Sequence, residues 1–122
     1  MRYTIEQEPD IQTVTIKASG TINTEVAEEM ILAAGVEINY TGFQKCFIDL
    51  TSTTLDPEQK MVEIYMFVNV FKKASINKSV KMAATIVIVD KFRLYLERFA
   101  NLEGYNLKHF TNRKDAINWL YM

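Results

Sequence analysis

The 122-residue chain is poor in several features, and each shortage excludes a class of protein. It has one cysteine, Cys46, which excludes an internal disulfide and fits a reducing compartment. Its longest apolar runs, such as Ile86–Val89, are too short for a signal peptide or a membrane span. We therefore expect a cytoplasmic protein.

Groupings of residues that carry catalysis are also missing. His109 is the only histidine and lies in a short strand-like segment, so a Ser-His-Asp or Cys-His arrangement would have to use it without a nucleophile motif. Cys46 lies in the apolar run KCFIDL and is expected to be an inert core thiol. The four glycines are isolated, and there is no metal-ligand spacing. We expect no enzymatic activity, no metal site and no cofactor.

The overall composition is that of an ordinary globular domain, 48% hydrophobic and 24% charged. A chain of this length can bury a core without disulfides, and we expect residues 1–122 to form a single domain. The net charge of −1 excludes the strong basic excess of a nucleic-acid-binding protein.

The charge is unevenly distributed along the chain. Residues 1–58 carry ten acidic and three basic side chains, whereas residues 59–122 carry five and eleven. A solvated surface is the simplest interpretation. The alternative is a basic face that binds an acidic protein or an anionic lipid surface. The basic excess includes Lys72, Lys73, Lys78 and Lys81.

The spacing of apolar residues predicts the order ββαβαβαβα. Strands that alternate with helices are typical of an α/β fold, so we expect a mixed, mostly parallel sheet of about five strands with about four helices. The predicted elements are strands Arg2–Gln7 and Ile11–Ser19, a helix capped by Asn23 or Thr24, strand Lys45–Leu50, a helix from Asp56 to about Ser75, strand Met82–Val89, a helix capped by Asp90 with Leu102 on its apolar stripe, strand Asn106–Phe110, and a helix that begins at Asn112.

The second helix contains more apolar residues than one sheet face requires. Asp56-Pro57-Glu58-Gln59 is a helix-start signature, with a cap, a proline in the first turn, and acid and amide residues after it. We expect a neighbouring helix, a protein partner or a second copy of the chain to cover the excess.

The stretch Phe47–Gln59, FIDLTSTTLDPEQ, is predicted to be a strand, a hydroxyl-rich loop and a helix start. Loops at the carboxyl ends of strands commonly hold the functional residues of α/β proteins. Its polar residues are therefore the candidate partner-binding site. They are Asp49, Thr51, Ser52, Thr53, Thr54, Asp56 and Glu58.

The element order, with IDL followed by a Ser/Thr-rich segment and a helix, resembles the STAS/SpoIIAA-like superfamily. The terminal DAINWL, Asp115–Leu120, is similar to the last helix of a divergent SpoIIAA-like branch that contains small bacterial proteins of unassigned function. The resemblance covers almost the whole chain and implies a SpoIIAA-like fold. It also implies a non-enzymatic regulatory domain that binds a protein, as anti-sigma-factor antagonists of the superfamily do.

In those antagonists the loop reads roughly D-L-S-x-x-x-x-(I)-D-S-S-G, and the second serine of the final pair is phosphorylated by a partner kinase. Asp49-Leu50-Thr51 matches the first half and Asp56 matches the later aspartate, but Pro57 and Glu58 replace the serine pair. The resemblance therefore implies that the phosphorylatable serine is missing. The Glu58 carboxylate either imitates part of the phosphoserine charge or compensates the helix dipole.

A carrier of a small apolar ligand or lipid is the alternative function. Some SpoIIAA-like domains resemble the lipid-transfer SEC14 fold. The second and third helices are rich in methionine and aromatic residues, which suit an adaptable apolar pocket as well as an ordinary core. These residues are Met61, Tyr65, Met66, Phe67, Phe71, Phe92, Tyr95 and Phe99.

Overall fold

The computed structural model describes residues 2–122 and shows five strands and four α-helices in the predicted order. The strands form one sheet in chain order, with an antiparallel first pair and parallel pairs after it. The mixed α/β fold is therefore confirmed. The strands are β1 Arg2–Glu8, β2 Thr13–Ile22, β3 Lys45–Leu55, β4 Lys81–Thr85 and β5 Asn106–Phe110; the helices are α1 Thr24–Thr41, α2 Met61–Lys73, α3 Lys91–Leu102 and α4 Arg113–Leu120.

The two faces of the sheet are covered unequally. Alternation along β3 directs Ile48 into a large core cluster with residues of α1, α2 and α3, while Phe47 belongs to a smaller cluster with α4. The smaller cluster joins Phe47 to Ala83, Ala116 and Leu120. Because three helices pack on one face and one helix on the other, the larger core lies between the sheet and α1–α3.

Side-chain caps begin three of the helices, as the sequence predicts. Asn23, Asp90 and Asn112 each accept a backbone N–H bond of 2.9 Å, from Val26, Arg93 and Asp115. The prediction for α2 was wrong. This helix begins at Met61 rather than after Asp56. Among the α-helices of residues 2–122, α2 is the one whose N-cap residue, Lys60, makes no side-chain capping hydrogen bond.

Strand β4 is shorter than the apolar run that predicted it. Met82–Val89 was expected to be strand, but β4 ends at Thr85, and Val87 and Ile88 are 65% and 73% exposed. The reason is the length of its neighbour: β5 ends at Phe110, whose carbonyl accepts the last bond, from the Ile86 N–H. A segment does not continue as a strand where its backbone groups have no neighbouring strand to pair with, however apolar its side chains are.

The prediction for the last turn of α3 was also partly wrong, because Leu102 is 76% exposed rather than facing the core. The helix ends at Leu102. Gly104 follows it at φ +93°, and the Tyr105 N–H donates to the Ala100 carbonyl 3.0 Å away.

Gly35, inside α1, has a packing function. A glycine in a helix costs about 1 kcal/mol relative to alanine. Here a Cβ at position 35 would lie 2.6 Å from the Ala74 carbonyl oxygen. Glycine therefore lets α1 approach the backbone that follows α2, and this contact closes the helical layer over the sheet.

Candidate interaction site on the β2–β3 ribbon

Past Asp49 the sheet narrows from five strands to three, and beyond Ser19 it narrows to two. Asp49 is opposite Thr85, the last residue of β4, and the β1 pairing ends at Ser19. A register shift between Lys17 and Ser19 follows, so that β3 contains one extra residue. Beyond it, Ser19–Ile22 pairs with Ser52–Leu55. We call these two paired segments the ribbon.

The ribbon corrects the expectation of a hydroxyl-rich loop. Thr51–Thr54 are in strand conformation because β2 does not stop at Gly20 but continues to Ile22 and supplies a pairing partner. The sequence held a signal for this, since threonine is a β-branched residue that favours strands. It was missed because β2 was predicted to end at Ser19.

Asp49 stabilises the junction between the sheet and the ribbon. Its Oδ1 accepts bonds from the Thr51 N–H at 3.0 Å and the Thr51 hydroxyl at 2.6 Å, and a longer bond of 3.4 Å from the Thr85 hydroxyl. Partial burial alone would raise the pKa of Asp49, but these bonds and the positive charge of Lys17 lower it overall. Asp49 is therefore an ionised structural residue, with its carboxylate committed to its own strand.

The ribbon hydroxyls differ in their availability. Thr53 donates to the Leu50 carbonyl at 2.7 Å, and Thr54 lies 3.4 Å from the hydroxyl of Thr21 across the ladder. Ser52 is exposed, and within residues 2–122 its hydroxyl has no hydrogen-bond partner. The exposed hydroxyl groups of Ser52 and Thr54 are thus the most accessible ones.

The segment Asp56–Gln59 forms a turn and not the first turn of a helix. The Asp56 carboxylate accepts from the Glu58 N–H at 2.9 Å, and the Asp56 carbonyl accepts from the Gln59 N–H at 3.0 Å. The Asp56 N–H donates to the Ile22 carbonyl and ties the turn to the end of β2. Glu58 is exposed in this turn, three residues before α2.

An apolar surface lies on α2, directly after the turn. α1 and α3 both pack against this helix, which confirms part of the expected cover. Val62, Tyr65 and Met66 nevertheless remain 58–60% exposed. Tyr65 makes an edge-to-face contact with Phe99 of α3, with ring centroids 5.2 Å apart. The excess apolar surface of α2 is thus only partly covered by its neighbours.

Three lysines of the lysine-rich segment have partners on other elements of the fold. Lys73 pairs with Glu28 of α1 at 2.7 Å, and Lys78 lies over the ring of Tyr105. Lys81 donates to the carbonyls of Trp119, in the last turn of α4, and of Met122, after the helix. These lysines contact different elements of the fold, which disperses their charge.

The other candidate reactive groups are buried or dispersed. Burial raises the pKa of the Cys46 thiol to about 12, so the thiol is inert as predicted. Within residues 2–122, no three His, Cys, Asp or Glu side chains come together as metal ligands. No helix of the described chain is long and apolar enough to cross a membrane.

The sequence did not reveal a cavity between the sheet and α1–α3. Its volume is about 90 Å³, and its wall is mainly apolar. Small side chains at Ala27 and Ala84 lie in that wall, and His109 of β5 lines it beside Leu107, on the same face of the strand. The presence of His109 on this inner face follows from strand alternation, but the open space depends on how the helices pack.

Searches among family models and curated proteins find no match to the chain. Solved structures do match. The anti-sigma factor antagonist SpoIIAA in its unphosphorylated form aligns over 98% of both chains, with 12% identity and a TM-score of 0.55. The chain has the SpoIIAA-like fold. Two further SpoIIAA-like structures agree with this assignment.

One is an uncharacterized protein of the DUF3478 family from Shewanella loihica PV-4, with a SpoIIAA-like fold. The alignment covers 98% of this chain and 92% of that protein, with 22% identity and a TM-score of 0.55. The phosphorylated form of SpoIIAA, a Bacillus cell fate determinant, aligns over 98% of this chain and 99% of its own at 12% identity and a TM-score of 0.52. Identities this low establish the fold alone.

Within this SpoIIAA-like fold, the seven candidate residues lie in one continuous segment, but they differ in what they do. Asp49, Thr51, Thr53 and Asp56 bind neighbouring groups of the same segment. Ser52, Thr54 and Glu58 are exposed polar residues of the ribbon and its turn, placed before the apolar surface of α2.

Proposed function

We propose that the chain is a non-enzymatic regulatory module that binds a protein partner at the ribbon. The observation that carries the proposal is the pairing of the ribbon: among the described strands, neither β1 nor β4 pairs with it beyond Ser19 and Asp49. Backbone groups on such edges can pair with a strand of another protein. The SpoIIAA-like fold supports the regulatory role, since a structure of this fold is an anti-sigma factor antagonist.

Three exposed polar side chains would give the contact its specificity: Ser52, Thr54 and Glu58. The apolar surface of Val62, Tyr65 and Met66 lies next along the chain and would supply buried area in a complex. Partner binding at the ribbon thus also accounts for the excess apolar surface of α2. A homodimer through α2 would use the same surface and would appear as a doubled mass in light scattering.

Phosphorylation is not part of the proposed function, because Pro57 and Glu58 stand where the antagonists carry the serine pair. Glu58 precedes α2 by a turn, and the effect of the helix dipole falls off within the first turn. A charge presented to the partner is therefore favoured over dipole compensation as the function of Glu58. Glu58→Asp should then keep partner binding, whereas Glu58→Gln should weaken it several-fold.

The test is partner capture with the triple variant Ser52→Ala, Thr54→Ala and Glu58→Ala. The triple variant purified from the native host should lose its partner, with its affinity for that partner reduced at least tenfold. Its melting temperature should stay within about 2 °C of the wild-type value, because the changed side chains are exposed. A matched control is Glu6→Ala with Thr111→Ala, two exposed positions elsewhere on the surface. Full capture by the triple variant would overturn the proposal.

The continuous sheet supports the further proposal that residues 1–122 act as one domain. Limited proteolysis should then leave the chain intact up to the unfolding transition, whereas an early cut into two stable fragments would contradict it. The cytoplasmic location stays a prediction.

The second candidate function, a carrier of a small apolar ligand, is favoured by the cavity under α2. A volume of about 90 Å³ is too small for a two-chain phospholipid but is several times what one water molecule requires. Native mass spectrometry of protein from the host should show a small co-purifying molecule if the chain is a carrier, and an unliganded mass throughout would count against it.

A further inference from the structure

The two edge strands of the sheet, β1 and β5, differ in how their outward backbone groups are satisfied. Asn101 of α3 accepts from the Leu107 N–H at 3.4 Å and donates to the Leu107 carbonyl at 3.2 Å. Glu97 of the same helix accepts from the His109 N–H at 2.6 Å. Because side chains of α3 occupy these backbone groups, the β5 edge is closed to a further strand.

The β1 edge is open by comparison. Within residues 2–122, no side chain forms a hydrogen bond with a backbone group of Arg2–Glu8, and β2 is the one strand that pairs with β1. In an antiparallel pair, alternate residues direct their backbone N–H and C=O groups away from the neighbouring strand. Part of the β1 backbone is therefore available to a strand of another chain.

Side chains of β1 alternate between the two faces of the sheet. Tyr3 and Gln7 lie on the α1 face, since they donate to Glu29 and Glu37 of that helix. The alternate set lies on the opposite face, where α4 contacts chiefly β4 and β5. This set consists of Arg2, Thr4, Glu6 and Glu8.

A second copy of β1, antiparallel to the first, can pair with all seven residues in one register. Residues directly opposite each other in an antiparallel pair share a face of the sheet. In this register Arg2 lies opposite Glu8 of the second copy, and Ile5 lies opposite Ile5 on the two-fold axis. Opposite charges directly across a ladder stabilise an antiparallel pair, and a two-fold dimer contains the Arg2–Glu8 pair twice.

The neighbouring registers that keep the faces matched are less favourable. A shift in one direction places Glu6 opposite Glu6, which brings like charges together. A shift in the other direction places Arg2 opposite Glu6 but leaves Glu8 beyond the end of the paired segment. The charge pattern of β1 therefore favours one register of self-pairing.

Exposed apolar residues of α1 lie on the side of this edge. Val36 and Tyr40 are about one helical turn apart and are 66% and 83% exposed. At 3.6 residues per turn, Tyr40 points between the directions of Glu29 and Glu37, the two residues that bond to β1. Because α1 packs on both β1 and β2, two copies of α1 related by this axis would lie about two strand spacings apart, roughly 10 Å, which is the distance between packed helices.

We infer that two copies of the chain associate through β1, as a two-fold antiparallel pair in which Arg2 of each copy lies opposite Glu8 of the other. The two five-stranded sheets then form one continuous sheet, with both α1 helices on the same face. α1 carries glutamates and no basic residue, so repulsion between its two copies limits the affinity. The dimer does not involve α2 and is independent of partner binding at the ribbon.

Charge reversal tests the Arg2–Glu8 pair in the full chain. Sedimentation velocity from about 10 µM to about 1 mM should show a monomer that becomes a dimer. Arg2→Glu should weaken the dimer about tenfold, because it creates two like-charge pairs. Glu8→Arg should also weaken it, and the double variant should recover at least part of the affinity, which a loss of folding would not produce. A monomer throughout, or single variants that dimerise like the wild type, would overturn the inference.

A pair of tyrosine substitutions separates this interface from one on α2. Tyr40→Ser should weaken the dimer, whereas Tyr65→Ser should leave it unchanged; both side chains are exposed, and circular dichroism checks that both variants fold. The opposite result would assign the association to α2 and overturn the inference.

Engineered cysteines test the register. The two Ile5 residues would have Cα atoms about 4.5 or 5.5 Å apart, so Ile5→Cys should form an intermolecular disulfide under mild oxidation. Thr4→Cys and Glu6→Cys are matched controls that should not, because their equivalents lie diagonally, about 7–8 Å apart. Cys46 is buried and does not compete. Coupling that is equal at the three positions, or stronger at a control position, would overturn the proposed pairing.

Discussion

Strands β2 and β3 form one parallel ladder with two different environments. Before the register shift, Val14, Ile16 and Phe47 are at most 1% exposed, with helices on both faces of the sheet. In the ribbon, the ladder continues but Ser52 and Thr54 are exposed. The comparison teaches that backbone pairing can continue beyond the five-stranded part of a sheet, and that the exposed side chains there are available to a partner.

The largest expected effect on the free energy of unfolding is that of a substitution in the packed part of the ladder. Phe47→Ala should lower the free energy of unfolding by about 3–5 kcal/mol, because it opens a cavity in the cluster with Ala83, Ala116 and Leu120. Urea unfolding measures this, with Phe47→Leu as the matched control that should cost less. A loss below about 1 kcal/mol for the alanine variant would mean that this face of the sheet is not tightly packed.

The second-largest effect is expected for a substitution in the closely packed helical layer that covers the sheet. Gly35→Ala gains about 1 kcal/mol in helix propensity but forces the new Cβ against the Ala74 carbonyl, and overpacking typically costs about 1–3 kcal/mol. We expect a net loss of about 1 kcal/mol in urea unfolding. Val36→Ala, an exposed change on the same helix, should stay within about 0.5 kcal/mol. A stabilised Gly35→Ala variant would show that α1 can move away from Ala74.

The junction between the two environments should respond to pH through Asp49. Because the folded-state pKa of Asp49 is lowered, its ionised form stabilises the protein above the ordinary value of 3.8, and this stability is lost as the pH falls through the lower folded-state value. Asp49→Asn should therefore cost about 1 kcal/mol at neutral pH and progressively less below about pH 4.

The measurement for Asp49 is urea unfolding from pH 7 to pH 2.5, with the exposed Glu6→Gln as control. A difference between wild type and Asp49→Asn that stays constant over this range would rule out an ionised Asp49 as the stabilising group. Equal stability of the two proteins at neutral pH would mean that the junction does not depend on its charge.

The smallest effect belongs to the ribbon. Ser52→Ala should change the free energy of unfolding by no more than about 0.5 kcal/mol, since the side chain is exposed and makes no bond within the described chain. The equivalent change in the packed part of the same ladder, Thr15→Ala, should cost more, because Thr15 is buried and its hydroxyl bonds to Glu8. If both changes cost the same, the contrast between the two environments is wrong.

Local signals were sufficient for most of the fold. Asp90 and Asn112 were predicted as caps, and Asn23 as one of two candidates, because a cap depends on residues within one helical turn. β5 was predicted at its observed bounds, since alternation and flanking residues define a short strand well. The same reasoning located the candidate segment that contains Ser52 and Glu58.

The wrong predictions concern segments whose conformation depends on residues that are distant in the sequence. Asp56-Pro57-Glu58-Gln59 has the local pattern of a helix start, but it forms a turn that is bonded through the Asp56 N–H to the Ile22 carbonyl at the end of β2. Val87 and Ile88 are apolar enough for a strand, but β5 has ended beside them. In both cases the backbone contact that matters is with another strand, and periodicity along the chain does not reveal such a contact.

The sequence by itself determined the order of the elements, the α/β class and the segment in which the exposed hydroxyls lie, because hydrophobic period and capping are encoded within a few residues. Tertiary structure alone decided that this segment is a two-stranded ribbon with Asp49 at its base, and that a cavity lies between the sheet and α1–α3. The physical reason is that strand pairing and empty space both depend on residues brought together from distant parts of the chain.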